Sequence, residues 1–212
     1  MAETLDRRTR KKQRTRLAIQ DAAFELFAEC GYRETTIKAI ADEADVAPRT
    51  VTVHFATKEE LLFDVEPFRV ESLAAALDAR APQESALDCL RDWMATTMTQ
   101  LEAEDAELSV RFWARRAQRA HIINAEPGLR ARSRAGYHEF ERVLADAIGK
   151  DLGQAGTALM PRLAALAAVA GLRDLYETDE FGELPSPPTA TDFLTLVDQV
   201  IAFTRAGLEA SS

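Results

Sequence analysis

An all-α fold of about nine helices is what this sequence predicts, and three observations predict it. Apolar residues recur at helical spacing from Ile19 onward, with no strand-like alternation of useful length. Ala, Leu, Arg and Glu dominate while aromatic residues make up only 7%, a composition that favours helix on intrinsic propensity. Gly31, Pro48, Pro82, Pro127-Gly128 and the prolines at 185, 187 and 188 punctuate the pattern where helices should start or stop.

Ile19, Ala22, Ala23, Leu26, Phe27 and Cys30 share one face of a first helix, and Gly31 supplies its C-terminal stop. Thr35 and Thr36 offer N-caps for a short helix carrying Ile37, Ile40 and Ala41. A break at Asp45-Val46 precedes a second short helix, from about Pro48 to His54-Phe55. Proline suits that first turn because its missing N–H has no intrahelical role there. Thr57 caps a longer helix over about 58–79, and further amphipathic helices are expected over about 84–102, 105–119, 127–150 and 157–177. The stretch TDEFGELPSPP is the clearest loop, and a last helix runs over about 190–208 from a Thr189 or Thr191 cap.

The formal net charge of −9 is unevenly spread. Residues 1–16 hold seven basic side chains (Arg7, Arg8, Arg10, Lys11, Lys12, Arg14 and Arg16) against Glu3 and Asp6, while residues 61–212 carry the whole net negative charge. A basic end on an acidic body can neutralise phosphates locally, or it can be a solvated tail. No stretch of about 18 uncharged apolar residues is present, so no membrane partner is expected. The charged N-terminus lacks an apolar core, which argues against a signal peptide. Cys30 and Cys89 lie far apart in apolar helical surroundings and read as small buried hydrophobes, which fits a reducing cytoplasm. Enzyme signatures are missing. There is no Gly-rich phosphate loop, no Gly-x-Ser-x-Gly elbow and no Cys/His metal spacing, and His54, His121 and His138 are isolated. No catalytic residue, cofactor or metal is therefore expected.

Two short helices joined by a tight turn, after a longer one, form a three-helix DNA-binding unit of the helix-turn-helix kind. Leu26, Phe27, Ile40, Val46, Val51 and Phe55 are spaced to make its small core. Double-stranded DNA then meets the exposed start of the second short helix, with Pro48, Arg49, Thr50, Thr52 and Val53 as candidates. Arg49 can fork onto guanine O6/N7 or onto phosphate; Thr50 and Thr52 can touch a thymine methyl or a phosphate. Thr36 and Lys58, at two helix starts, suit phosphate oxygens, and for Thr36 a plain N-cap is compatible with that role.

The run RLAIQDAAFELFAECGYRETTIKAIADEADVAPRTVTVHFATKEEL resembles the TetR N-terminal signature. The matching residues are Ile19, Ala22, Ala23, Leu26, Phe27, Gly31, Tyr32, Thr35, Thr36, Ile40, Ala41, Ala44, Val46, Thr50, His54, Phe55, Lys58, Glu59 and Leu61, about a quarter of the chain. Three positions depart from it: Asp45 stands where the turn usually has Gly, Ala47 where a capping Ser is common, and Thr52 where Tyr is frequent. The resemblance adds His54 to the DNA-binding set. It implies a helix-turn-helix domain over 1–57 with the basic arm, and an effector-binding and dimerisation domain over 58–212. It also implies a homodimeric, ligand-released repressor on a palindromic operator.

Within the body, Trp93, Met94, Met98, Phe112, Trp113, Tyr137 and Phe140 read either as core or as the lining of a pocket for a small hydrophobic effector. Arg111, Arg115, Arg116, Arg119, Arg130, Arg132 and Arg134 form a second basic concentration, either a solvated, ion-paired face or an anionic handle. The segment RFWARRAQRAHIINAEPGLRARSRA resembles the mycofactocin-type sub-group of the family, which implies an acyl-CoA-like effector. Leu159, Leu163, Leu166, Ala167 and Ala170 on one helix, and Val197, Val200, Ile201 and Phe203 on the last, form apolar stripes. Helices 157–177 and 190–208 are thus the candidate dimer surface, with internal core as the alternative.

Overall fold

In a computed structural model of the chain, the backbone is described for residues 2–63, 68–104, 106–177 and 189–210. Side chains are described over the same residues except 2–10, 104, 106–112, 114, 117, 176 and 177. Among the described residues all regular structure is α-helical. The helices are α1 (Ala2–Cys30), α2 (Ile37–Glu43), α3 (Pro48–His54), α4 (Glu60–Phe63), α5 (Val70–Ala79), α6 (Ala86–Glu104), α7 (Ala106–Ala125), α8 (Pro127–Leu152), α9 (Leu159–Glu177) and α10 (Ala190–Glu209). None of the described helices is long and apolar enough to cross a membrane.

Two expectations need correction. The first helix starts at Ala2 rather than near Ile19. The basic arm contains no glycine or proline and is rich in Arg and Lys, both good helix formers, so α1 continues back through it. The helix expected over 58–79 is two helices, α4 and α5. Pro67 lies between them, and proline in a helix interior removes a hydrogen bond and clashes with the preceding turn. That division raises the number of described helices to ten.

The chain forms two compact units, residues 1–65 with 121–129, and residues 66–120 with 130–212. In the first, α1 buries Ile19, Ala22, Ala23, Phe24 and Phe27 against Ile40 and Ala41 of α2, Val51 of α3, Phe55, and Leu61 and Leu62 of α4. Ile122, Ile123 and Leu129 join the same core. Of the six core positions read from sequence, Leu26 and Val46 are only half-buried, and Phe24 takes a place the pattern had not assigned. Gly31 (φ 87) ends α1 in the left-handed region where a Cβ is costly. Thr35 is buried there, its hydroxyl donating to Gly31 O at 2.8 Å. Asp45 takes φ 49 in the turn between α2 and α3, a conformation that Asp tolerates better than most residues.

In the second unit α10 packs on both α6 and α9, and α5 packs on α6. Its core includes Leu73, Leu77, Leu90, Met94, Met98, Trp113, Leu144, Ile148, Ala165, Ala168, Phe193 and Val197. Thr189 caps α10 in a capping box with Asp192. Ion pairs Arg91–Asp198 (2.9 Å) and Arg205–Asp88 (2.6 Å) flank the α6–α10 contact. Cys89 is buried, which pushes its thiol pKa up, whereas Cys30 is exposed rather than buried as its apolar neighbours suggested.

Candidate functional site

The exposed edge of α3 begins at Pro48, which occupies the first turn with Ala47 as N-cap. Ala47 has no side-chain acceptor, so no cap bond closes over the start of the helix. Val51 is fully buried and Phe55 nearly so, anchoring one side of the helix in the first unit's core. Their burial turns Pro48, Arg49, Thr52 and Val53 outward, with Thr50 half-buried between the two faces. Val53, a large apolar side chain, is 71% exposed. The Thr52 hydroxyl donates back to Arg49 O at 3.1 Å. Thr36 is exposed at the start of α2, and its hydroxyl oxygen accepts from Ala39 N at 3.1 Å, a plain N-cap. A hydroxyl used this way still has its own proton to donate.

Two sequence candidates are occupied otherwise. Lys58 Nζ donates to Tyr32 O (2.6 Å), Thr35 O (3.0 Å) and Arg33 O (3.4 Å), and lies 4.2 Å from the Tyr32 ring centroid. An ammonium group has three protons, so the phosphate role assigned to Lys58 from sequence finds no free donor here. Instead Lys58 ties down the carbonyls of the loop between α1 and α2. The backbone carbonyl of His54 accepts from Arg16 Nη1 at 2.7 Å. Its ring Nδ1 is buried, with no hydrogen-bond partner among the described residues. Burial first, then the charges of Arg16 and Lys12, lower the imidazole pKa below its ordinary value. That lowering favours the neutral form of the His54 ring over the cation.

Sequence reasoning had not assigned Arg16 a specific role. Besides bonding His54 O, its guanidinium lies 4.1 Å from the Phe55 ring centroid, so one basic residue of the arm fastens the end of α3. Lys11, Lys12 and Arg14 are exposed along α1. The side chains of Arg7, Arg8 and Arg10 lie outside the described set.

The second unit holds a cavity of about 70 Å³, lined by Phe68, Leu73, Leu90, Trp93, Met94, Tyr137, Phe140, Val169, Leu172, Arg173 and Phe193. Trp93, Met94, Tyr137 and Phe140 of the sequence set meet in its wall. Met98 and Trp113 are buried core and are not in the lining, and the side chain of Phe112 lies outside the described set. The wall is aromatic. Phe68 and Trp93 have ring centroids 5.4 Å apart, Trp93 and Phe140 6.2 Å, and Phe68 and Phe193 6.3 Å. Trp93 Nε1 donates to Ser72 Oγ at 3.1 Å. The basic run on α7 and α8 divides. Arg116 and Arg119 are buried, with Arg116 donating to Leu175 O, while Arg130, Arg132 and Arg134 are exposed. It is not one continuous solvated face.

The apolar stripes also divide. Leu159, Leu163 and Leu166 on α9 are exposed, the first by 67%, and Phe203 on α10 is 75% exposed. Val197 and Ile201 point into the core, and Val200 is half-buried against Gly171.

Comparison with known proteins gives a consistent picture. Residues 19–65 match the model of the bacterial regulatory proteins of the tetR family, and residues 95–209 match that of the MftR C-terminal domain. The HTH-type transcriptional regulator TcmR of Streptomyces glaucescens is 32% identical over 149 residues, 68% of this chain and 65% of the relative, so the match spans just under two thirds of that protein. A protein named as the mycofactocin biosynthesis transcriptional regulator MftR, from Mycobacterium tuberculosis, is 25% identical over 79% of this chain and 81% of its own length. Among solved structures, that of a SmeT–triclosan complex superposes with a TM-score of 0.56 at 23% identity. It covers 89% of this chain and 90% of its own, a likeness of fold.

Proposed function

The chain belongs to the TetR family of bacterial regulatory proteins, which are transcription regulators rather than enzymes, and from that premise we propose that it is a homodimeric repressor released from a palindromic operator by a small hydrophobic effector. The observation that carries this reading is the outward edge of α3. Pro48, Arg49, Thr52 and Val53 stand clear of the core while Val51 and Phe55 hold the helix rigidly from behind. A narrow helix start with one guanidinium and short side chains fits a major groove, where Arg49 forks onto a guanine edge or a phosphate and Thr50 and Thr52 meet methyls or phosphates. Lys11, Lys12 and Arg14 add positive charge for phosphates along α1.

In this reading residues 1–57 contact DNA and residues 58–212 supply the effector and dimer surfaces. The exposed leucines of α9 with Phe203 of α10 support the pairing of two copies, because so much apolar surface is costly in water. A two-fold pair would present two α3 helices to successive major-groove turns. The aromatic cavity supports an apolar effector. At about 70 Å³ it is far below the hundreds of Å³ usual for ligand sites, so binding would have to push its walls apart. That displacement is the differential interaction a ligand needs to shift the protein between DNA-binding and released states.

Gel retardation on the DNA flanking the protein's own gene tests the reading. Expected are a specific shift with a steep salt dependence, and a loss of about 1–3 kcal/mol in operator affinity for Arg49→Ala. Equal affinity for operator and random duplex would refute it.

A further inference from the structure

We propose that Arg173 is the anchor for a carboxylate group on the effector, so that the cavity selects a compact aromatic acid. The inference rests on the cavity of the second unit being the effector site, and it adds the chemical class.

Val169, Leu172 and Arg173 are three and four residues apart on α9, and all three line the cavity. Arg173 thus shares the cavity-lining face of α9 with an aliphatic pair and is half-buried there. The rest of the cavity lining is the rings of Phe68, Trp93, Tyr137, Phe140 and Phe193, and aliphatic side chains. Its recorded contact is with the Tyr137 ring, whose centroid is 5.8 Å from the guanidinium carbon, and no carboxylate among the described residues pairs with it. Other arginines of the same unit are matched: Arg80 with Asp151, Arg91 with Asp198, Arg205 with Asp88, and Arg142 with Glu139.

A guanidinium keeps its charge, and its five donors form a planar fork that apolar side chains cannot satisfy. A bound carboxylate would complete that fork with two parallel charge-assisted hydrogen bonds. The stoichiometry favours a monoanion. One guanidinium neutralises one charge, and no second cation lines the cavity. The aromatic wall suits an aromatic ring, which can stack against Trp93 or meet Phe140 edge-on. Size then limits the ligand. The cavity is less than half of the roughly 150 Å³ that holds a benzene molecule in an engineered core, so one ring is admitted only as Met94 and its neighbours give way.

The test uses full-length protein and a matched pair of probes, 3-phenylpropionate and its uncharged amide, titrated by calorimetry at pH 7.5. The acid is expected to bind at least about tenfold more tightly than the amide, the value of one charge-assisted pair. Arg173→Gln is expected to abolish the preference for the acid over the amide, while Arg173→Lys restores part of it. Equal binding of acid and amide to the unaltered protein, a preference that survives in Arg173→Gln, or no binding of either probe would each overturn the assignment. The acid–amide comparison on unaltered protein decides the matter even if a variant fails to fold. Operator retardation in the same samples separates the two levels. DNA binding without acid binding removes the anchor but not the regulator; acid binding without DNA binding removes the regulator.

Discussion

Arg16 Nη1 donates to the main-chain carbonyl of His54 at 2.7 Å, joining residues 38 apart in sequence. The same guanidinium lies 4.1 Å from the Phe55 ring centroid, so it closes the C-terminal end of α3 with a hydrogen bond and a cation–π contact together. A residue that looks in sequence like one more phosphate-seeking arginine is a structural clasp on the helix proposed to read DNA.

That clasp makes the first unit sensitive to acid. The His54 imidazole is held below its ordinary value near 6.5 by burial, by Arg16 and by Lys12, in that order. The unfolded chain therefore takes up the proton first as pH falls. The sign is that stability present above pH 6.5 is lost on acidification through the lowered folded value. Proton NMR titration should place His54 below the ordinary imidazole value, and Arg16→Gln should raise it. Titration of His54 at or above that ordinary value would contradict this.

Lys58 is expected to behave as a structural residue. Replacing it with Met removes donors from the carbonyls of Tyr32, Arg33 and Thr35 and should cost about 1.5–3 kcal/mol in urea denaturation. The salt slope of operator binding should stay unchanged, since no phosphate contact is lost. A slope reduced by about one with stability intact would return Lys58 to the DNA surface.

Gly171 sets the approach of α9 to α10. A Cβ there would lie 2.8 Å from Val200 Cγ1, and the branched, stiff valine cannot swing away. Gly171→Ala should destabilise the second unit by about 1–3 kcal/mol, the usual cost of overpacking. Adding Val200→Ala should recover much of it, a coupling that a double-mutant thermal melt will read.

Leu163→Glu places a charge in the middle of the exposed α9 stripe, away from the buried alanines behind it. Light scattering should give a dimer mass for the unaltered protein and a monomer mass for the variant, with helical circular dichroism retained. A variant that stays dimeric would move the pairing surface elsewhere.

By itself the sequence determined the helical class, most helix limits and the helix-turn-helix signature. All of these are local: a cap such as Thr36, a stop such as Gly31 or the spacing from Ile19 to Phe27 acts within one or two turns. It also marked Trp93, Met94, Tyr137 and Phe140 as apolar residues that could meet. Periodicity tells which side chains share a face, but not what that face meets. Only the tertiary structure decided that Leu163 looks outward while Val197 looks inward, that residues 121–129 join the first unit, that Lys58 serves carbonyls, and that Arg173 enters an aromatic cavity. Each of those outcomes depends on contacts between segments far apart in the chain, where burial and hydrogen-bond partners are set by packing rather than by neighbours in sequence.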